Sequence, residues 1–262
     1  DLDRTDPAVR DPESWYQANP SLGIRIERET VEDECKPSGL GEKFAQERLG
    51  AWLPRAEAGP GVLDIAAWHA LADPDSRRVG DVAFAVDITP SRDTACIAVY
   101  GLREDGLGHA EIVDHRPGTD WLVDRLVELR ERHNPVAIGL DVKGPAGSLI
   151  VDLEKAGIVR TEDLERPRYG ELAIPTAADV AAGCGQLADA VRQATMRHIG
   201  QEVMTTAITG AKTRPLGDAW AWGRRISTVD ISPLVAVTLA RWVYTARAHL
   251  VSDDYDVLDS IY

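Results

Sequence analysis

Two aspartates each close an apolar run: Asp87 follows Val82 to Val86, and Asp141 follows Val136 to Leu140. Runs of this kind read as buried strands, and a carboxylate at the end of one is costly to desolvate unless donors or a cation compensate. A plain structural explanation exists for each, since Thr89, Pro90 and Ser91 form a turn after Asp87, and Lys143, Gly144 and Gly147 follow Asp141 before a helix. Taken as a pair they say more. Ligands of α/β sheets collect at the carboxyl ends of strands, and acids on adjacent strands would repel unless divalent cations lay between them. Hard oxygen ligands of this type select Mg²⁺ or Mn²⁺. That equipment suits two-metal phosphodiester hydrolysis, with the ions about 3.5 to 4 Å apart, one activating water and the other stabilising the leaving oxygen.

A third acid is open on spacing. Asp230 precedes the last helix and serves equally well as its N-cap or as a ligand, while Asp218, in the Gly217 to Trp220 turn, is its rival. Asp93 in the first hairpin is a further candidate ligand. Lys143, two residues beyond Asp141, is placed to steady a phosphate. Lys212, Arg214, Arg224 and Arg225 flank Trp220 and Trp222, as in a basic hairpin lying on a nucleic-acid backbone, although a surface hairpin with two core tryptophans has the same sequence signature.

The elements that must position these residues begin near residue 81. Val82 to Ile88, Thr94 to Tyr100 and Ala110 to His115 read as three strands of an antiparallel meander. An amphipathic helix over 119 to 133 leads into the strand before Asp141, and further helices are expected over 145 to 156, 177 to 198 and 231 to 250. The implied class is α/β, a central mixed sheet of three antiparallel strands and then parallel strands, flanked by helices. Residues 1 to 80 read as a linker or adaptor with a polar helical pattern from Glu29 to Leu49. Its apolar face of Phe44, Leu49 and Trp52 is too thin for a core of its own. Residues 81 to 251 form the main domain and 252 to 262 an acidic tail.

Bulk properties narrow the field. The chain has 262 residues and a net charge of -14, which argues against nucleic acid only if charge is spread evenly. Between residues 190 and 250, eight basic residues face three acids, so a local basic face survives. Three scattered cysteines, Cys35, Cys96 and Cys184, lack zinc-like spacing and are expected to be reduced thiols. With no spanning apolar run and no leader-like start, the sequence reads as intracellular.

The stretch from Asp179 to Leu239 resembles the nuclease domain of the large terminase subunits of tailed bacteriophages. Supporting segments are WYQANPSLG at 15 to 23, FAQERLGAW at 44 to 52, FAVDITPSRDTACIAVYG at 84 to 101, RHIGQ at 197 to 201, RPLGDAWAWGRR at 214 to 225 and STVDISPLVAVTLA at 227 to 240. The resemblance implies a ribonuclease H-like fold and an Mg²⁺- or Mn²⁺-dependent endonuclease that cuts concatemeric double-stranded viral DNA during packaging, in the host cell cytoplasm. It matches Asp87, Asp141 and Asp230 to the catalytic, metal-binding acids, and so favours Asp230 over Asp218. The partners it implies are the terminase ATPase domain, the small subunit and the portal, with no membrane. No GxxxxGKS or GxxxxGKT phosphate loop occurs here, so residues 1 to 80 would follow a motor domain lying outside this sequence.

Two other classes compete. An ATP-binding protein of the actin and sugar-kinase type also carries an acid in its first hairpin, but would want glycines between Asp87 and Gly101, where none stands. A non-catalytic module docking on DNA or a portal would use the same acids as caps.

Overall fold

A computed structural model describes residues 7 to 36, 44 to 49, 62 to 247 and 250. They belong to two compact units, one within Asp1–Gly59 and one within Pro60–Tyr262. The acidic tail and Trp52 lie outside the described residues.

The first unit holds helices α1 (Pro12–Ala18), α2 (Arg28–Cys35) and α3 (Phe44–Leu49), the last two falling on the helical pattern read from Glu29 to Leu49. Asp11 caps α1 through Glu13 N–H. Val9, Trp15, Leu22, Val31 and Phe44 form an apolar cluster, with Ile26, Cys35 and Leu49 against it. The expectation that this segment lacks a core is therefore corrected: Val9, Trp15 and Leu22, which lie ahead of the helical pattern, supply the missing apolar surface.

The second unit starts earlier than residue 81. Helix α4 (Ile65–Ala70) carries Trp68, fully buried and stacked on His198 at 3.8 Å between ring centroids. Residues 62 to 80 thus build the main core rather than a linker, and the boundary expected at 80 moves toward residue 60. Strands β1 (Val79–Ile88), β2 (Thr94–Leu102) and β3 (Gly108–Pro117) make the antiparallel meander. Helix α5 (Leu122–His133) returns the chain to β4 (Ala137–Leu140), which pairs parallel with β1. A 3-10 turn over Pro145–Leu149 and α6 (Ile150–Lys155) follow, then β5 (Leu172–Ala173), α7 (Ala177–Arg192), β6 (Met196–His198) and α8 (Glu202–Gly210). Hairpin β7 (Thr213–Leu216) and β8 (Ala219–Trp222) precedes the last helix, α9 (Ser232–Ala246). The sheet order is β5-β4-β1-β2-β3-β6, with β5 and β6 parallel to their neighbours.

One helix expected over 177 to 198 divides in two. Its end becomes β6, because Ala194 takes φ 55° after α7 and turns Met196 onto the edge of β3. The short β5 and helix α8 carry no long period and were not legible.

Side-chain alternation sends the two sheet faces into separate cores. Val82, Phe84, Val86, Ile88, Ile138 and Leu140 pack with α5 and α6 on one face. Ala83, Ala85, Ala137 and Gly139 lie under α9 on the other, where small residues let the helix approach the strands. Helix α9 is buried along most of its length, including Leu234, Val237 and Val243, as expected of an element apolar all round. A Cβ at Gly139 would stand 2.7 Å from Val243 Cγ2 and 3.1 Å from the Ala85 Cβ. Gly139→Ala should therefore cost about 1–3 kcal/mol in chemical denaturation, and Val243→Ala in the same chain should recover part of it. Equal stability of Gly139→Ala and the parent protein would contradict this packing.

Candidate metal and nucleic-acid site

The alternation that places Ala83 and Ala85 under α9 also turns Asp87 to that face, and Ala137 and Gly139 do the same for Asp141. Val86 is in register with Leu140, so the two acids leave neighbouring parallel strands side by side. Asp87 is 1% exposed. Both acids are bound by one guanidinium. Arg224 donates through Nη2 to Asp87 Oδ1 at 2.8 Å, through Nε to Asp87 Oδ1 and Oδ2 at 3.2 and 3.1 Å, and through Nη2 to Asp141 Oδ2 at 3.3 Å. Asp141 also accepts the Lys143 backbone N–H at 3.0 Å, closing an Asx turn.

Burial pushes the Asp87 carboxyl above the usual aspartate range, against the pull of Arg224. Burial works against the Arg224 charge as well, but Asp87 and then Asp141 outweigh it and hold the guanidinium above its ordinary value. Arg224 is delivered by the hairpin. Trp222, two residues earlier, is buried and donates its indole N–H to Thr238 Oγ1 on α9 at 2.9 Å, and Trp220 packs edge-on against it. The tryptophans therefore anchor the hairpin in the core and fix where Arg224 begins.

Asp230 precedes α9 and faces the same region. Its Oδ1 accepts the Ser232 backbone N–H at 2.7 Å, and its Oδ2 accepts a hydrogen bond from His115 Nε2 on β3 at 2.9 Å. Burial raises its pKa, but these bonds outweigh it and leave the carboxyl below its ordinary value. Asp93 accepts the Thr89 hydroxyl at 2.6 Å, and hydrogen bonds from Thr89 and Ser91 hold its pKa down. Asp87, Asp93, Asp230 and Arg224 line one cavity of about 240 Å³. Asp218 does not: it is exposed at the tip of the β7–β8 turn.

Next to this acidic cavity lies a cleft of about 550 Å³ lined by Arg92, Lys143, Arg214, Arg224 and Arg225, with Trp222 and Ile226 in its wall. Four of the five basic residues expected at a nucleic-acid face meet here. Lys212 is exposed and is not among the lining residues. Arg92 was missed by sequence reasoning. It holds φ 63° in the β1–β2 turn and donates to Pro145 O at 3.0 Å, Ser148 Oγ at 2.7 Å and Thr119 Oγ1 at 3.3 Å. Those bonds tie the turn after Asp87 to the segment after Asp141. The site's partners His115 and Arg92 carry no spacing signal, because the sheet brings them in from distant sequence.

The donor set is carboxylate oxygen, which fits a hard divalent ion. As arranged, however, no group of three or more His, Cys, Asp or Glu among the described residues is close enough to share one ion. Arg224 provides the positive charge at Asp87 and Asp141.

No protein-family model and no curated protein sequence matches the chain. Among solved structures, it is similar to the HK97 bacteriophage large terminase, at 14% identity and a TM-score of 0.54, over 91% of this chain and 55% of that one. The fold is ribonuclease H-like. This chain thus spans about half the length of the phage terminase whose fold it shares. Looser likenesses are to the large terminase nuclease from thermophilic phage G20c, at 14% identity and TM-score 0.47, and to the same nuclease with bound magnesium, at 13% and 0.47. The first covers 69% of this chain and 96% of that one, and the second 69% and 95%.

Removing the guanidinium should expose the cost of burying these acids. In metal-free buffer at neutral pH, Arg224→Ala is expected to lose about 3–5 kcal/mol of stability, as for a broken buried pair. A carboxyl whose folded pKa lies above its unfolded value destabilises the fold in full at pH above the folded pKa; the cost shrinks as pH falls through that value and is gone below the unfolded pKa. The deficit of Arg224→Ala should therefore shrink on acidification, measured by urea denaturation across pH. A deficit that grew toward acid would contradict the pairing.

Proposed function

We propose that the second unit is a divalent-metal-dependent endonuclease acting on double-stranded DNA, in the role of a terminase nuclease during viral genome packaging. The observation carrying this reading is the adjacency of an acidic cavity, with Asp87, Asp93 and Asp230, to a cleft lined by five cationic side chains. Phosphate contacts need such a cleft, and an oxygen-only donor set beside it matches phosphodiester hydrolysis rather than base recognition. The ribonuclease H-like fold shared with the phage terminase agrees with it.

On this reading Asp87, Asp141 and Asp230 would hold two Mg²⁺ or Mn²⁺ ions, with Asp93 the additional acid at the cavity. When bound, such ions supply an activated water and charge stabilisation at the leaving oxygen. The chain's own residues do the rest. Lys143, Arg214 and Arg225 bind the DNA backbone, Arg92 keeps the loops after Asp87 and Asp141 in register, and His115 orients Asp230 through its Oδ2. The terminase ATPase domain, small subunit and portal would be partners, and the host cell cytoplasm the place of action. No helix among the described residues is long and apolar enough to cross a membrane.

A second reading has one observation in its favour. Arg224 satisfies Asp87 and Asp141 without any metal, as a purely DNA-docking module would require. Plasmid cleavage in Mn²⁺ separates the two. Asp87→Asn and Asp141→Asn should each lose activity by at least about a hundredfold while keeping the fold by circular dichroism, and Asp230→Asn should lose more than Asp218→Asn. Cleavage unchanged in both Asp87→Asn and Asp141→Asn, or absent from the parent protein, would favour the docking module.

A further inference from the structure

Arg224 is common to both parts of the site: it lines the acidic cavity and the basic cleft, and its guanidinium sits on the two strand-end acids. Resting on the nuclease reading above, we infer that Arg224 is a charge latch that competes with divalent metal for Asp87 and Asp141, and that a DNA phosphate in the cleft draws it off.

Three observations support this. The first is charge: two adjacent carboxylates, one of them almost wholly buried, require a cation, and Arg224 meets that need with four hydrogen bonds to their oxygens. A metal at the same oxygens must displace at least part of that fork. The second is placement. Arg214, Arg225 and Lys143 surround the cleft into which the side chain opens, so a phosphate there would meet a guanidinium able to bind it in the same planar, bidentate way. The third is anchorage. The backbone at Arg224 follows the core-bound Trp222, and Gly223 N–H donates to Lys212 O at 2.7 Å, so exchange between carboxylates and phosphate needs only side-chain rotation. Its side chain is 16% exposed, at the border between the two spaces.

Such an exchange couples the two ligands. DNA should tighten metal binding, and metal should tighten DNA binding by the same factor, because linkage between sites is reciprocal. A nuclease so built would load its metal poorly until a phosphate backbone occupies the cleft.

The test is Mn²⁺ binding by isothermal titration calorimetry on the full chain without DNA, joined with duplex affinity by fluorescence anisotropy with and without Ca²⁺, used as a divalent ion that limits cleavage. Arg224→Gln should bind Mn²⁺ at least about tenfold more tightly than the parent protein, and should lose most of the divalent-ion enhancement of duplex binding. Arg224→Lys, which keeps the charge but not the fork, should fall between them, and it covers the case in which Arg224→Gln is too unstable to titrate. Mn²⁺ affinity unchanged or weaker in both variants would overturn the latch, and if Asp87→Asn abolished Mn²⁺ binding and cleavage in that same experiment, the nuclease reading would still stand. Absence of Mn²⁺ binding and of cleavage in the parent and both variants would overturn the latch and the nuclease reading together.

Discussion

Two aspartates at the ends of neighbouring parallel strands cannot be buried side by side without a counter-charge, and the arrangement of this domain follows from how that need is met. Asp87 and Asp141 face α9 because β1 and β4 alternate small residues on that face, and they stand together because Val86 pairs with Leu140. The guanidinium of Arg224 closes the set. It reaches them only because Trp222 pins the β7–β8 hairpin to Thr238 of α9, so the packing of the last helix and the electrostatics of the site are one problem. Gly139 belongs to the same problem, since a larger residue there would lift α9 from the strands.

Much of this was legible in the sequence. The meander, the return through α5 to β4 and the long apolar α9 all have strong local periods, and the strand-end positions of Asp87 and Asp141 follow from those periods. Less legible was everything set by tertiary pairing. The β6 strand looked like the end of a helix because Met196 to His198 is too short to show a period of two. Residues 62 to 80 looked like linker because Trp68 and Leu71 only acquire meaning against His198 and α7.

The site divides along the same line. Acids announce themselves at strand ends, whereas their partners do not. Arg224, 137 positions from Asp87, reads in the sequence as one more basic residue of a hairpin suited to DNA, and nothing local marks it as a carboxylate partner. His115 reads as the last residue of a strand and Arg92 as a turn residue. Only the sheet order puts β3 and β1 where both can serve. Asp230 lines the cavity and accepts the Ser232 N–H just ahead of α9, while Ile231 holds the cap position, so the expected capping role passes to the next residue.

The central claim is that Asp87 and Asp141 form a divalent-ion site for which Arg224 stands in. A crystal structure grown with Mn²⁺ and a short duplex, with anomalous scattering measured at the manganese edge, tests it most directly. The account predicts an anomalous peak bonded to oxygens of both Asp87 and Asp141, with the Arg224 guanidinium turned toward a phosphate. Arg224 still paired with both acids, and manganese elsewhere or absent, would contradict it.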